Sequence, residues 1–274
     1  MQKLPLASAI GWGFPTWREA EEAELLAALG IRRVQVFRNR EKPFAAPDVR
    51  RWLTDQGLAC TSFHAAFGDD YDPSRPDDAA RRRSVENLAR EVDVCMALGG
   101  RLLVVHPGDA PIGPEMHDAE RIGALERSAA ELAALGEREG CTIALENLQP
   151  DQMGNDMAML RRIVDAIDSP RLGLNYDCGH ANLGQDPVAV LHQAGPRIAS
   201  THIHDNSGRG DDHFAPGFGS IDIDAVCRAL AEIGYRGEFV LELMETTDAL
   251  RRRCDAAWME KLGRWLDLAS GIAP

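Results

Sequence analysis

The feature that most constrains this chain is an alternation running from one end to the other. Short apolar or β-branched runs, too brief for helices, recur between longer amphipathic stretches. The strand runs are Ser8–Trp12, Arg33–Phe37, Ala59–Phe63, Leu102–Val105, Thr142–Leu145, Leu172–Tyr176, Ile198–Thr201 and Glu238–Leu241. Helical segments are expected at roughly 16–29, 47–56, 77–98, 118–139, 156–168, 186–194, 222–233 and 247–269. In the third, Val85, Leu88, Val92 and Cys95 form one stripe opposite Arg81, Arg82, Glu86 and Arg90, the spacing of an amphipathic helix. Gly30, Gly57, Gly99, Gly140 and Gly234 each precede a strand as helix stops do, and Asp77, Asp118 and Asp222 stand where N-caps are expected.

Eight strand–helix units in 274 residues match the count and length of an α/β chain of the (β/α)8 TIM-barrel class. No interior Pro-, Gly- or Ser-rich linker divides the chain, so one barrel domain over 1–274 is expected. An open doubly wound sheet shares the alternation, but it usually carries a glycine-rich phosphate loop after its first strand. Here Gly11 and Gly13 run into Phe14-Pro15 with no third glycine in place.

Composition narrows the class further. With 45% hydrophobic residues the chain can bury a large core, and its 25 Gly and 15 Pro are dispersed, which excludes collagen-like and low-complexity classes. The 43 acidic against 30 basic side chains give a net charge of −13, which opposes general affinity for phosphate backbones while leaving room for a local basic cleft. Six cysteines lie far apart with no C-x-x-C pair, as in a reducing compartment. Residues 1–10 lack the pattern of a signal peptide, and no run nears the roughly 18 apolar residues of a membrane span. A cytoplasmic protein without membrane contact is expected.

The polar residues fall in a telling place. His64, His106, Glu146, Asp177, His202 and Glu242 each terminate one of the third to eighth apolar runs. In a closed barrel these positions ring one mouth, the face where sites of this fold are built. Carboxylates and imidazoles converging on one cavity need a compensating charge, and a mixed oxygen and imidazole set suits Mn²⁺, Zn²⁺, Co²⁺ or Mg²⁺. His117 and His192 fall in helical or loop stretches and read as structural or solvated.

On these residues the sequence resembles the xylose isomerase-like TIM-barrel superfamily, which holds sugar and sugar phosphate isomerases and epimerases and the endonuclease IV-type apurinic-site nucleases. The likeness is carried by Val105-His106-Pro107-Gly108, Leu145-Glu146-Asn147, Asp177-Cys178-Gly179-His180 and His202-Ile203-His204-Asp205-Asn206. Asp211-Asp212-His213, Gly217-Phe218-Gly219, Ile233-Gly234-Tyr235 and Leu241-Glu242 complete it. In the isomerase branch the resemblance implies one divalent metal held by Glu146, Asp177, His202 and Glu242, with the two glutamates as acid and base. In the nuclease branch it implies three zinc ions on His64, His106, Glu146, Asp177, His180, His202, Asp211, His213 and Glu242. It also implies a possible homo-oligomer.

The sugar branch is favoured by charge. Residues 68–78 hold five Asp against one Arg, a poor surface for a DNA backbone. Arg38, Arg40 and Lys42, with Asn39 among them, could touch phosphates or form a solvated loop. The expected partner is therefore a small sugar-like substrate rather than nucleic acid. The expected reaction is proton abstraction next to a carbonyl through a metal-stabilised enediolate, by Glu146 and Glu242. Inosose-type dehydration, a zinc phosphodiesterase at abasic DNA and a non-catalytic sugar-binding barrel are the alternatives. His180 would contact a substrate hydroxyl, orient a ligand or serve a second metal, and His64 and His106 would line the pocket. Asp205 could fix the His202 tautomer or cap a turn, and Trp12 and Phe14 could form an apolar wall or pack in the core. Arg209 and His213 are candidates for a terminal phosphate or carboxylate.

Overall fold

Each apolar run forms a strand. A computed structural model describes residues 2–15, 18–108 and 119–272; the expected cap Asp118 and His117 lie outside them. The strands are β1 (Leu6–Trp12), β2 (Arg33–Arg38), β3 (Ala59–His64), β4 (Leu102–Val105), β5 (Thr142–Glu146), β6 (Leu172–Asp177), β7 (Ile198–His202) and β8 (Phe239–Leu241). Each pairs in parallel with the next from β1 to β7, and β1 pairs in parallel with β8. One residue past β7 completes the ring. Ile203 donates its amide to the Val240 carbonyl at 2.8 Å, its own carbonyl accepts from Glu242 at 3.2 Å, and it bridges Leu241 in parallel. The sheet is a barrel, not an open doubly wound sheet.

The helices are α1 (Glu19–Ala28), α2 (Ala46–Asp55), α3 (Asp78–Leu98), α4 (Ala119–Glu139), α5 (Met157–Ile167), α6 (Cys178–Asn182), α7 (Pro187–Ala194), α8 (Ile223–Glu232), α9 (Thr247–Arg253) and α10 (Ala256–Ala269). Asp77 and Asp222 cap α3 and α8, accepting from the amides of Ala80 and Ala225. Gly99, at φ +101°, ends α3 in the left-handed conformation that costs other residues free energy, and the other four expected stops also have positive φ.

Three local expectations change. The single helix expected over 247–269 is broken at Cys254-Asp255, because Asp255 caps a new helix by accepting from Trp258 N. The polar face expected on α3 is not all solvated: Arg81 is buried against α4, bonded to Asp78, Glu131 and Ser128. A short helix outside the expected segments, α6, begins where Asp177 accepts from His180 N at 2.7 Å. All six cysteines are buried and free. No helix among the described residues is long and apolar enough to cross a membrane.

Candidate metal centre

Parallel pairing carries the strand ends to one mouth. Asp177 and His202 are register partners on β6 and β7, and Glu146 closes β5 beside them. Glu242 enters from the end of β8, held by the Ile203 bridge. His202 is fully buried, and its Nδ1 lies 2.7 Å from Glu146 Oε1, 3.1 Å from Glu242 Oε2 and 3.5 Å from Asp177 Oδ2. One potential ligand atom from each of these four residues lies within 4.8 Å of the others.

Two further groups flank them. His64 Nε2 and His106 Nε2 approach the other oxygen of Glu146, Oε2, at 3.2 and 3.3 Å. Asp211 Oδ2 takes His213 Nε2 at 2.9 Å, Gln149 Nε2 at 2.9 Å and His180 Nε2 at 3.4 Å. His213 has a positive φ of +48°, a strained backbone of the kind that persists where surrounding contacts enforce it. Its Nδ1 meets the Glu242 carbonyl at 3.1 Å. Nine of the ten candidate site residues therefore share one mouth. The tenth, Arg209, is exposed on the β7–α8 loop and lies outside the lining of both cavities there.

The electrostatics are those of a crowded, compensated cluster. Burial alone raises the carboxyls of Glu146 and Asp177. Neighbouring imidazolium charge overrides it and holds both well below the usual carboxylate range, through His202 on Glu146 and through His180 and His204 on Asp177. Glu242 is lowered against burial by His202 in the same way. Burial lowers the imidazoles, but the carboxylates reverse this. His202 stands well above the ordinary histidine value, His180 rises to about 10 and His213 to about 9. Protons on imidazole thus balance the carboxylate excess, and a divalent cation supplies the same balance.

Residues not singled out from the sequence orient this set. His202 Nε2 lies 2.8 Å from Oε1 of Gln35, a buried residue of β2 whose amide nitrogen donates to Ser62. An amide oxygen only accepts, so Nε2 carries the hydrogen and Nδ1 faces the carboxylates. Asn147 grips Asp177 at both ends of its peptide, and its carbonyl meets His180 Nδ1 at 2.9 Å. His204 Nε2 lies 3.0 and 3.2 Å from the two oxygens of Asp177, and its ring stacks on His213 at 3.9 Å.

Other expectations resolve differently. Asp205 takes no part in fixing the His202 tautomer. It is a turn cap, accepting from the amides of Asn206, Gly217, Gly219 and Ile221. Trp12 packs edge-on against Trp52 and Phe44, whereas Phe14 lines a cavity at the mouth. The Asp-rich loop presents less free acidity than its sequence implies. Asp72 is buried against Arg121 and Ser74, Asp69 pairs with Arg75, and Asp78 pairs with Arg81 and Arg82. His192 is exposed and pairs with Glu232 at 3.4 Å.

The residues present suit a divalent cation. The donors are carboxylate oxygens and imidazole nitrogens only, the set that Mn²⁺, Zn²⁺, Co²⁺ and Mg²⁺ accept to differing degrees. Asn175 Oδ1, His204 Nδ1 and Asp211 Oδ1 are buried without a hydrogen-bond partner at or beside the cluster, a deficit that calls for an added partner.

Comparison with known proteins places this geometry in context. The sequence pattern of a family described as xylose isomerase-like TIM barrel matches residues 23–262. An uncharacterised protein of Methanocaldococcus jannaschii is 32% identical over 195 residues, covering 69% of this chain and 66% of that protein. Fructoselysine 3-epimerase of Shigella flexneri is 23% identical over 256 residues, covering 89% and 87%. Probable endonuclease 4 of Thermotoga maritima is 30% identical over 139 residues, covering 50% and 47%. The chain spans about half to two thirds of the length of several of its curated relatives. The crystal structure of a D-tagatose 3-epimerase-like protein superposes with a TM-score of 0.77 at 23% identity, covering 98% of this chain and 99% of that one. At that identity the shared property is the fold.

Proposed function

The chain belongs to the xylose isomerase-like TIM-barrel family, and from that membership we propose that it is a divalent-metal-dependent sugar isomerase or epimerase. The observation that carries this reading is the convergence of two glutamates, Glu146 and Glu242, on one buried cluster with Asp177 and His202. The kinship with a fructoselysine 3-epimerase supports it. We take the whole of 1–274 as one barrel domain acting on a small sugar-like molecule.

Moving a carbonyl or inverting a carbon beside it requires removal of a weakly acidic proton, so a base and charge stabilisation are both needed. When bound by Glu146, Asp177, His202 and Glu242, the cation stabilises the negative charge that develops on the substrate oxygens. The glutamates approach from β5 and β8. One, ionised, takes the proton from carbon; the other, having gained a proton from water, delivers it from the opposite side, and the two exchange protons with water between turnovers. Without metal or substrate the neighbouring imidazoles hold both carboxyls ionised, the form the base needs. His64, His106 and His180 surround the same space and orient hydroxyls, with Asp211 and His213 completing the wall. Dehydration of an inosose-type substrate uses the same proton abstraction.

The test is solvent deuterium exchange into a panel of ketoses and ketose phosphates by metal-loaded protein, with metal content measured per chain. Deuterium beside the carbonyl, abolished in Glu146→Gln and Glu242→Gln, is the expected result. No exchange with any substrate, together with three zinc ions per chain, would sink the reading.

That outcome would point to a second reading, a zinc phosphodiesterase at abasic DNA. One observation favours it: His64–His106–Glu146 and His180–Asp211–His213 form two more potential ligand groups beside the central four residues. Incision of an abasic duplex is its direct test.

A further inference from the structure

Two cavities adjoin at the mouth. One of about 290 Å³ lies over Glu146, His180, Asp211 and His213. The other, of about 560 Å³, extends from it toward the loop after β2, and the two share His64, Phe67, Glu242 and Met244. Proton transfer at Glu146 and Glu242 uses the smaller space. The larger one lies within the size range of complete small-molecule sites, and of the four metal-holding residues Glu242 alone borders it.

Its lining is unlike that of the metal cluster. Phe14, Phe37 and Phe67 give it apolar walls, and Phe67 is 51% exposed while its ring stacks on His106 at 4.7 Å. Arg38 and Arg40 supply guanidinium groups. Arg38 is pinned by the buried carboxylate of Glu91, whose other oxygen accepts from Ala66 N, so its charge is already matched. Arg40 differs. Among the described residues it has no ion-pair partner, yet it is docked, with its guanidinium 5.1 Å from the centre of the Tyr71 ring. Its Nη2 also lies 3.6 Å from where a Cβ on Gly68 would stand. An exposed arginine ordinarily samples many rotamers. One seated on an aromatic ring with its donors unmatched is organised for an oxyanion, which the planar fork binds in two-point fashion. Glu41, exposed on the same loop and lining the same cavity, disfavours an anion placed toward its own side.

We propose that the larger cavity is an anion subsite in which Arg40 binds a phosphate or carboxylate carried by the sugar at a distance from its carbonyl. This rests on the sugar reading for the occupant of the smaller cavity, and it moves the anion contact from Arg209 to the loop after β2.

Calorimetry on the Mn²⁺-loaded protein tests it with D-fructose, D-fructose 6-phosphate and 5-keto-D-gluconate, in wild type, Arg40→Ala and Arg40→Lys. The readout is the ratio of anionic to neutral affinity within each protein, which cancels direct contact between the anion and the metal when compared across variants. The expected ratio is about tenfold or more in wild type, near one in Arg40→Ala and intermediate in Arg40→Lys. Which anionic probe gains more identifies phosphate or carboxylate. An equal ratio in wild type and Arg40→Ala overturns the subsite, as does Arg40-dependent binding of an abasic duplex without any small-anion preference. Deuterium exchange into ketoses together with an affinity ratio that does not depend on Arg40 rejects the subsite alone. An Arg40-dependent ratio without exchange rejects the isomerase reading alone.

Discussion

Oε1 of Gln35 lies 2.8 Å from Nε2 of His202, and this bond decides which ring nitrogen faces Glu146. The two residues are 167 positions apart and both are fully buried. Partners of ligating histidines fix tautomer and ring orientation, and their loss typically weakens metal binding by about 10–100-fold. Gln35→Met is therefore expected to lower Mn²⁺ affinity by about that factor while the barrel still forms, read by calorimetric titration and circular dichroism. Unchanged affinity would remove Gln35 from the design of the site.

Metal loading is expected to release protons. His202, the imidazole among the four metal-holding residues, stands well above the ordinary histidine value, so it carries a second proton in the metal-free protein and must lose one to ligate; His180, raised to about 10, and His213, raised to about 9, release theirs only where the outer group also takes a cation. Titrations in two buffers of different ionisation enthalpy should show this release, and affinity should weaken as pH is lowered. The sign for stability follows from the same shifts. The folded metal-free protein holds more protons than the unfolded chain from about pH 6.5 upward, so its stability is fully present below that pH and is lost as pH rises through 9 to 10. Melting of chelated protein measured from pH 6 to 10 checks it; a rising or flat profile would contradict the assignment.

Much of this site was legible in the sequence because a parallel barrel brings strand ends together whatever their separation. His64, His106, Glu146, Asp177, His202 and Glu242 needed only their positions after apolar runs to be grouped. Gln35 was missed because it sits inside such a run, Arg33-Val34-Gln35-Val36-Phe37, and points into the barrel. An uncharged amide in an otherwise apolar strand was the available signal. His204 was passed over beside its neighbour His202, although residues two apart on an extended strand share a face. The roles of Asp205, Asp72 and Arg121 depend on how loops fold back, and no periodicity records that.

Two glycines make an opposed pair. A Cβ on Gly179 would fall within the imidazole of His204, whereas one on Gly263, inside α10, meets nothing within 4 Å. Gly179→Ala should destabilise by roughly 1–3 kcal/mol through overpacking and weaken metal binding by displacing the ring that holds Asp177. Gly263→Ala should stabilise by up to about 1 kcal/mol, since alanine is the better helix former. Denaturant unfolding of both variants gives the comparison, and equal effects would refute the packing argument.

Asp205 bears on the outer group of potential ligands and not on the inner four. It holds the β7–α8 loop through the amides of Asn206, Gly217, Gly219 and Ile221, and that loop carries Asp211 and His213. Asp205→Ala should cost on the order of 3 kcal/mol, as several charge-assisted bonds are lost together. If metal occupies both groups, the His180–Asp211–His213 group should empty first while the four-residue group is retained, as metal analysis per chain would reveal. Loss of both in step would show that the loop is not their division.

The Ile203 bridge has a mechanical consequence. Strands joined by one backbone bridge and the Thr201 hydroxyl beside it form a seam, and breathing of the barrel should concentrate there. His202 precedes Ile203 and Glu242 follows its partner Leu241, so the two sit on opposite lips of the seam. On the proposed reading, a cation held by both would act as a clasp. The group that enables the chemistry would then also hold the barrel shut, and slowed exchange of the Ile203 amide would report its arrival.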